Sequence, residues 1–506
     1  MKEKKYALYG IGVVLISLIG ISLAYFATQI VGKEKDISVN TKDLRIIFNN
    51  GDAITGENVV AEDNWSMTKT FSVENKSNST YKYNIVIKDL INTFKTAGYL
   101  QYKITSTDGG YNMTSFEDVP KRSTVTDTVL AYSISIAEGV TQNYTITIRY
   151  PNDENIDQSD DMGATLSGKL YISEGTPMPT LAEAILKDNP TISERTDFSV
   201  TNTENTTGII YKTNKTEDGS TVYYYSGNTS KNWVKFAGFY WRIIRTNEDK
   251  SVRLLYSGLD PATKNGYIGI SPFNSAWNDP MYVGYMYGTS GSLANNRLNT
   301  NDSTIKTFID KWYKETLLSN YDKYISKTAI YCNDRSTQNN SYSTSSFAYG
   351  TYTRLNIDDN HIPAPTYKCG GNGNGGLFES AQALADKFSV STSGGGNGQL
   401  KYPIALMTAD EISFAGGMVN KSLKSPYAWY YTNSQGESIT GGKAWWNLSP
   451  NDWFGSSAFV WLGLSISEVQ ADNGVRPSVS LASCVGIKSG NGTPESAYEI
   501  DESSCS

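Results

Sequence analysis

The chain has 506 residues, enough for two or three domains with sizeable cores. A net charge of -7, only 19% charged residues and no clustered Lys/Arg stretch argue against a nucleic-acid partner, because nothing would neutralise phosphates. Its 35 Tyr and 44 Gly, with abundant Ser, Thr and Asn, are the composition of an extracellular surface protein.

Residues 6–30 carry no charge and run through Val13, Val14, Leu15, Ile16, Leu18, Ile19, Ile21 and Leu23, with Lys2, Lys4 and Lys5 in front. About 20 apolar residues rising ~1.5 Å each span a ~30 Å hydrocarbon core. The lysines resist translocation, so the remainder is expected outside the cytoplasm. Residues 1–32 are therefore read as a membrane anchor or a signal peptide. Ser22-Leu23-Ala24 has the form of a cleavage site, whereas the run exceeds the roughly 7–15 apolar residues of a signal core. The expectation is a single-pass cell-membrane protein with an extracellular C-terminal part; secretion is the alternative.

Residues 36–174 read as all-β. Strand-like runs recur at 44–48, 67–73, 81–87, 100–104, 124–136, 144–150 and 164–172, separated by turn clusters such as Asn49-Asn50-Gly51-Asp52 and Asp108-Gly109-Gly110. About seven strands with this punctuation predict a β-sandwich. A helical insert is expected near 89–97. The acidic stretch 153–161 fails the calcium-loop test, since Gln158 and Ala164 stand at the glycine and glutamate positions; it reads as a solvated loop. The basic start, the run ending in Leu23-Ala24-Tyr25-Phe26 and the Gly168-Lys169-Leu170-Tyr171-Ile172 end together resemble the TasA/camelysin group of exported bacterial proteins. That resemblance covers residues 1–174 and implies surface location and possible self-assembly into matrix fibres. Ala27-Thr28-Gln29 stand where the group has an early acidic residue.

Residues 175–207 read as a linker with a short helix, 181–187, capped by Thr180 and ended by Asn189-Pro190. A second domain, 208–483, opens with a hairpin of 208–212 and 221–225 across Glu217-Asp218-Gly219. A long strand, 233–245, and a second, 252–256, flank Asn247-Glu248-Asp249-Lys250. Both faces of the long strand are largely apolar, which places it centrally. Ile305, Phe308, Ile309, Trp312 and Leu317 have helical spacing over 304–318, with Asp302 or Ser303 as cap. Further helices are expected at 377–386 and from Thr408. Long irregular segments occupy 333–347, 351–366, 370–376 and 391–398, and loops of that length usually carry function.

The four cysteines, Cys332, Cys369, Cys484 and Cys505, are paired by sequence order as 332–369 and 484–505, with free thiols the alternative. Such loops contribute roughly 3–4 kcal/mol each when closed. Metal binding is not expected, because no two cysteines are close in sequence and His361 is the chain's one histidine. No cofactor is implied. His361 lies in a polar loop without a nucleophile elbow, which argues against a Ser-His-Asp hydrolase. Trp277-Asn278-Asp279 copies a lectin tripeptide without its partner motif and reads as chance.

Residues 444–482 carry Ala444-Trp445-Trp446-Asn447-Leu448-Ser449-Pro450 and Gly474-Val475-Arg476-Pro477-Ser478. With Trp241-Arg242-Ile243-Ile244-Arg245 these resemble a bacterial surface domain of unknown function marked by W-W-L-R-S-P and G-V-R-P. That domain is similar in pattern to the formylglycine-generating-enzyme and C-type-lectin-like folds. The resemblance covers 208–483 and implies an α+β, C-type-lectin-like domain; Asn447-Leu448 replace the usual Leu-Arg. Residues 484–506 read as a disulfide-tied tail. Trp446, Trp453 and Phe454 are candidate stacking platforms for a ligand, and Arg476 offers a planar fork of donors, although each also suits a structural role. The expectation is a membrane-tethered adhesion protein, with sandwich stalk and lectin-like head, for a cell-surface glycan or protein ligand. A fibre subunit or a cell-wall glycan enzyme are the alternatives.

Overall fold

The computed structural model describes residues 29–30, 37–41, 44–49, 65–96, 98–337, 347–356, 362–369, 386–394, 396, 398–418, 428–454, 457–462 and 465–505. It is mostly β-sheet with few, short helices. Two units divide it, Met1–Met178 and Pro179–Ser506.

The first unit contains β1 (Gln29–Ile30), β2 (Ile37–Thr41), β3 (Leu44–Asn49), β4 (Ser66–Asn75), β5 (Tyr81–Asn92), β6 (Gln101–Ser106), β7 (Glu117–Asp118), β8 (Arg122–Ile136), β9 (Thr141–Arg149) and β10 (Leu166–Glu174). A four-stranded sheet has the order β1-β10-β5-β8 and a six-stranded sheet the order β2-β3-β4-β9-β6-β7. Alternation explains the sandwich. Phe71 and Val73 of β4, Ile104 of β6 and Ile146 and Ile148 of β9 meet Ile85, Ile87, Leu130, Leu170 and Ile172 of the other sheet in one core. Register between β4 and β9 is unbroken from Ser66↔Arg149 to Glu74↔Thr141.

Two expectations fail here. Among the described residues of 89–97 no helix forms: β5 continues to Asn92 across a register shift against β8. Asp89 takes φ 56° there, and its N–H donates to Asp127 Oδ1 at 2.9 Å. The bulge absorbs the extra residue while Leu90 stays fully buried. Nor is the 153–161 loop solvated throughout. Asp161 is fully buried, accepting from the Lys95 and Thr96 backbone N–H and from Tyr150 Oη at 2.7 Å. Those donors hold its carboxyl below the usual range, although burial alone would raise it.

The membrane run 6–30 lies outside the described residues except for Gln29–Ile30. These pair in parallel with Ser167 and Gly168 of β10, so the run's last two residues belong to the sandwich. Among the described residues no helix is long and apolar enough to cross a membrane.

In the second unit Thr180 caps α1 (Leu181–Asp188) through a full capping box with Glu183. Leu181, Ala182, Ala184 and Ile185 enter the unit's main core. The 175–207 stretch is accordingly no free linker beyond Met178. Leu181 N–H donates to Val485 O at 2.9 Å, and Asn202 N–H to Gly416 O at 2.9 Å. β11 (Thr191–Ser193) pairs with β12 (Ile209–Thr213), which forms the expected hairpin with β13 (Val222–Tyr224).

The long strand expected over 233–245 is instead a hairpin of β14 (Trp233–Phe236) and β15 (Phe239–Thr246). Ala237 and Gly238 turn it, at φ 56° and 77°, the left-handed pair that matches a two-residue loop to strand twist. β15 remains central, with β16 (Val252–Tyr256) beside it. Strands Pro477–Leu481 and Ala405–Leu406 extend the sheet beyond β16, and Tyr498–Ile500 and Ile487–Ser489 extend it beyond β14. The 484–506 segment is thus part of the sheet and carries the Cys484–Cys505 disulfide; Cys332 and Cys369 form the other.

Helix α2 (Thr304–Thr316) is capped by Ser303, α3 (Gly350–Leu355) occupies a stretch read as irregular, and α4 (Ala409–Phe414) starts from Thr408. The expected helix 377–386 lies outside the described residues apart from Asp386, which begins the strand Asp386–Ser389. His361 and the 370–376 loop lie outside them too.

Asn75 pins the sandwich. Fully buried, it donates to Ser79, Ile136 and Ala137 carbonyls at 2.8–3.1 Å and accepts from Ser77 N–H and Oγ. Asn75→Ala strands those groups and is expected to cost about 2–3 kcal/mol, read as a lower urea midpoint for the sandwich transition.

Candidate functional site

Arg245 and Arg253 stand opposite each other on β15 and β16, a like-charge pair that a buried sheet cannot hold without an acid. Glu411 of α4 supplies it: Oε1 lies 3.4 Å from Arg245 Nε and 3.0 Å from Arg253 Nη1. Its other oxygen accepts from Thr408 N–H at 3.0 Å. One carboxylate therefore caps a helix and neutralises two strands. Beside it, Asp410 receives Arg354 through two bonds, Nε at 2.8 Å and Nη2 at 2.6 Å, while Arg354 Nη1 reaches Asp334 at 2.6 Å. Burial alone would lower the Arg354 guanidinium; Asp410 and Asp334 more than offset it and raise it. Arg335 pairs with Asp386 at 2.6 Å. These arginines and acids form a buried ionic frame.

In front of the frame opens a cleft of about 200 Å³. Two acidic turns shape it, Glu217-Asp218 after β12 and Glu248-Asp249 after β15. Their closeness follows from topology, since Tyr224 of β13 pairs with Arg245 of β15, which sets both turns at one end of the sheet. Ala329, Ile330, Cys332 and Tyr367 provide the remaining walls. Lys387 Nζ reaches Glu217 at 2.7 Å, and Arg245 Nη1 reaches Glu248 at 3.7 Å. Asp218 accepts from Ser220 N–H at 2.8 Å, which with the Ser220 hydroxyl holds its carboxyl below the usual range. Arg245 lies over the Tyr367 ring at 4.3 Å. Burial pushes the Tyr367 phenol well up, so it stays a donor. Tyr367 and Asn247 both line the cleft, and among the described residues neither Tyr367 Oη nor Asn247 Oδ1, each closed off from solvent, has a hydrogen-bond partner.

The residues singled out from sequence do not gather into one site. Trp446 is fully buried, its Nε1 donating to Ser271 O at 2.8 Å and its ring edge-on to Phe273, so it offers no platform to a ligand. Arg476 is likewise fully buried. It donates to Tyr256 O at 3.1 Å, Tyr430 O at 2.6 Å and Ser257 Oγ at 3.4 Å, over the Trp445 ring. Burial brings it down to about 9. Its fork is spent on the fold. Phe454 is 65% exposed at the end of strand Trp446–Phe454. Trp453 pairs in register with Phe347 in that ladder, and its side chain is outside the described set. Asp279, of the lectin-like tripeptide, caps a short helical turn at Pro280–Val283. Among the described residues no group of three or more His, Cys, Asp or Glu is arranged to hold a metal.

In sequence the cleft acids carry no site signal, because each pair reads as an ordinary hairpin turn. The available signal was two acidic turns on hairpins that share a sheet end, visible only once β13 is paired with β15.

Arg354→Ala would leave Asp334 and Asp410 as buried, unpaired charges. A loss of about 3–5 kcal/mol is expected, read as a lower denaturant midpoint for the second unit. Asp452 behaves differently. Burial raises its carboxyl to about 6, and its Oδ1 has no partner. A folded pKa above the unfolded value means that the folded state holds the proton longer. Stability therefore falls as pH rises from about 4 through about 6. Asp452→Asn is expected to raise the melting temperature at pH 7.5 relative to wild type and to lose that advantage at pH 4.

No family model matches the chain, and no curated protein does. Among solved structures, a family 123 glycoside hydrolase from Clostridium perfringens, described for glycolipid glycan hydrolysis, shares 10% identity over 28% of this chain and 25% of that one. The TM-score is 0.11. The chain thus spans about a quarter of that enzyme, and the likeness carries no argument about fold or activity.

Proposed function

We propose that this is an exported bacterial surface protein of the recognition class, tethered through the apolar run that precedes Gln29, with the sandwich as spacer and the second unit, on a C-type-lectin-like plan, as the binding part. The observation that carries this is the open cleft of about 200 Å³ set on a frame of buried ion pairs. A rigid concavity with a few placed polar groups is what a binding site requires. Two disulfides fit an oxidising compartment. A second reading, a matrix-fibre subunit, draws on β8: 15 residues long, it pairs only with β5 among the described residues and leaves an edge open to another strand.

The test is binding of the full-length, detergent-solubilised protein to glycan and peptide arrays, with electron microscopy of the same sample. Saturable binding by dispersed particles is the expected result. Filaments that grow with concentration, without any array ligand, would replace it with the fibre reading. Turnover of a cell-wall glycan would replace both.

A further inference from the structure

The cleft's chemistry narrows what it takes. Among the described residues four carboxylates line it, Glu217, Asp218, Glu248 and Asp249, against one lining cation, Arg245. Arg245 is already committed to Glu411 and Glu248, and Lys387 answers Glu217. Counting Lys387 with Arg245, the carboxylates still exceed the cations. A charge of that sign at a concave mouth draws cations and repels anions.

Independent of the acids, two polar groups point to a ligand. Asn247 is 7% exposed and Tyr367 5% exposed, yet Asn247 Oδ1 and Tyr367 Oη have no partner among the described residues. Buried polar atoms are nearly always paired, and leaving one unmade costs about 1–3 kcal/mol. Asn247 Nδ2 is fixed by Ser251 Oγ at 2.8 Å and Ser480 Oγ at 3.2 Å, so its oxygen is held as a free acceptor. Ala329, Ile330 and Cys332 add an apolar wall. At about 200 Å³ the space falls below the roughly 300–1,000 Å³ of a drug-sized site and suits one side chain.

From this we infer that the cleft between the 217–218 and 248–249 turns binds a cationic side chain, lysine or arginine, presented by a peptide segment of a protein ligand. The aliphatic stem lies along Ala329, Ile330 and Cys332, and the cationic head meets the Glu248 and Asp249 side. Long cationic side chains favour this split between an apolar stem and a charged tip. The inference rests on the recognition reading and gives it a ligand class.

The probe is a fluorescent Ser-Gly-Lys-Gly-Ser peptide, followed by anisotropy with the full-length protein, beside peptides carrying arginine or norleucine in place of lysine. The expected result is binding of a cationic peptide at least about tenfold tighter than norleucine. Glu217→Gln with Glu248→Gln should weaken it about tenfold. If the double variant melts early, a salt series on wild type decides. Affinity should fall from about 20 to about 500 mM NaCl, as screening shortens the reach of the rim charges. Equal binding of norleucine, salt-independent binding or no binding of either cationic peptide overturns the inference. An array ligand whose binding survives the double variant also overturns it while leaving the recognition reading standing; a blank array removes both.

Discussion

The second unit is organised by the Glu411 carboxylate. Two arginines on adjacent strands would repel across about 5 Å of sheet, and neither has water to screen it at 5% and 1% exposure. Glu411 lies against both. Because it also closes the capping box of α4, helix and sheet are fixed to each other through one side chain. Asp410, its neighbour, then holds Arg354, and through it Asp334, two residues after Cys332. The wall of the cleft is thereby tied to the middle of the sheet.

Two other buried arginines are handled without any acid. Arg242 donates to Asn232 Oδ1 at 2.5 Å, Thr229 O at 2.8 Å and Thr432 O at 3.3 Å, lying 4.1 Å from the Trp233 ring. Arg476 spans Tyr256, Ser257 and Tyr430. Burial lowers both guanidinium groups. Each is kept by carbonyl oxygens and an aromatic face, and each joins chain segments far apart in sequence. The G-V-R-P signature thus marks a loop cross-link. A motif can be specific to a fold because its arginine has so many donors to place, with no ligand involved.

What the sequence shows well is local. Thr180 and Thr408 announce their helices because a cap needs only the next three residues, and β4 and β9 announce themselves by alternation. The β14–β15 hairpin hides because Phe236, Gly238 and Tyr240 keep a period of two straight through the turn, and nothing local says that Ala237 takes a left-handed conformation. At 89–97 the apolar spacing of Leu90, Ile91 and Phe94 fits either a helix or a bulged strand; pairing with β8 decides. The buried tryptophans follow the same logic. Trp446 could face either way until Phe273 and Ser271 O, more than 170 residues away in sequence, claim it. Cleft acids are hardest of all, since they depend on which hairpins become neighbours.

Long loops make such a cleft costly to hold, because ordering each residue opposes folding by about 1–2 kcal/mol. The second unit spreads that cost over devices of different kinds. The Cys332–Cys369 and Cys484–Cys505 bonds shorten the unfolded chain's freedom. Arginine cross-links order segments through several bonds at once, and the ionic frame makes displacement of any member expensive because its partner would be stranded. The sandwich contains no cysteine; its β4–β9 ladder runs unbroken, while β5 meets β8 through register shifts and Asn75 and Asp161 tie its connections by hydrogen bonds. The contrast lies in what is held: packed sheets are fixed largely by their ladders, whereas a concavity bounded by loops needs its walls pinned from behind, which is where the buried charges lie.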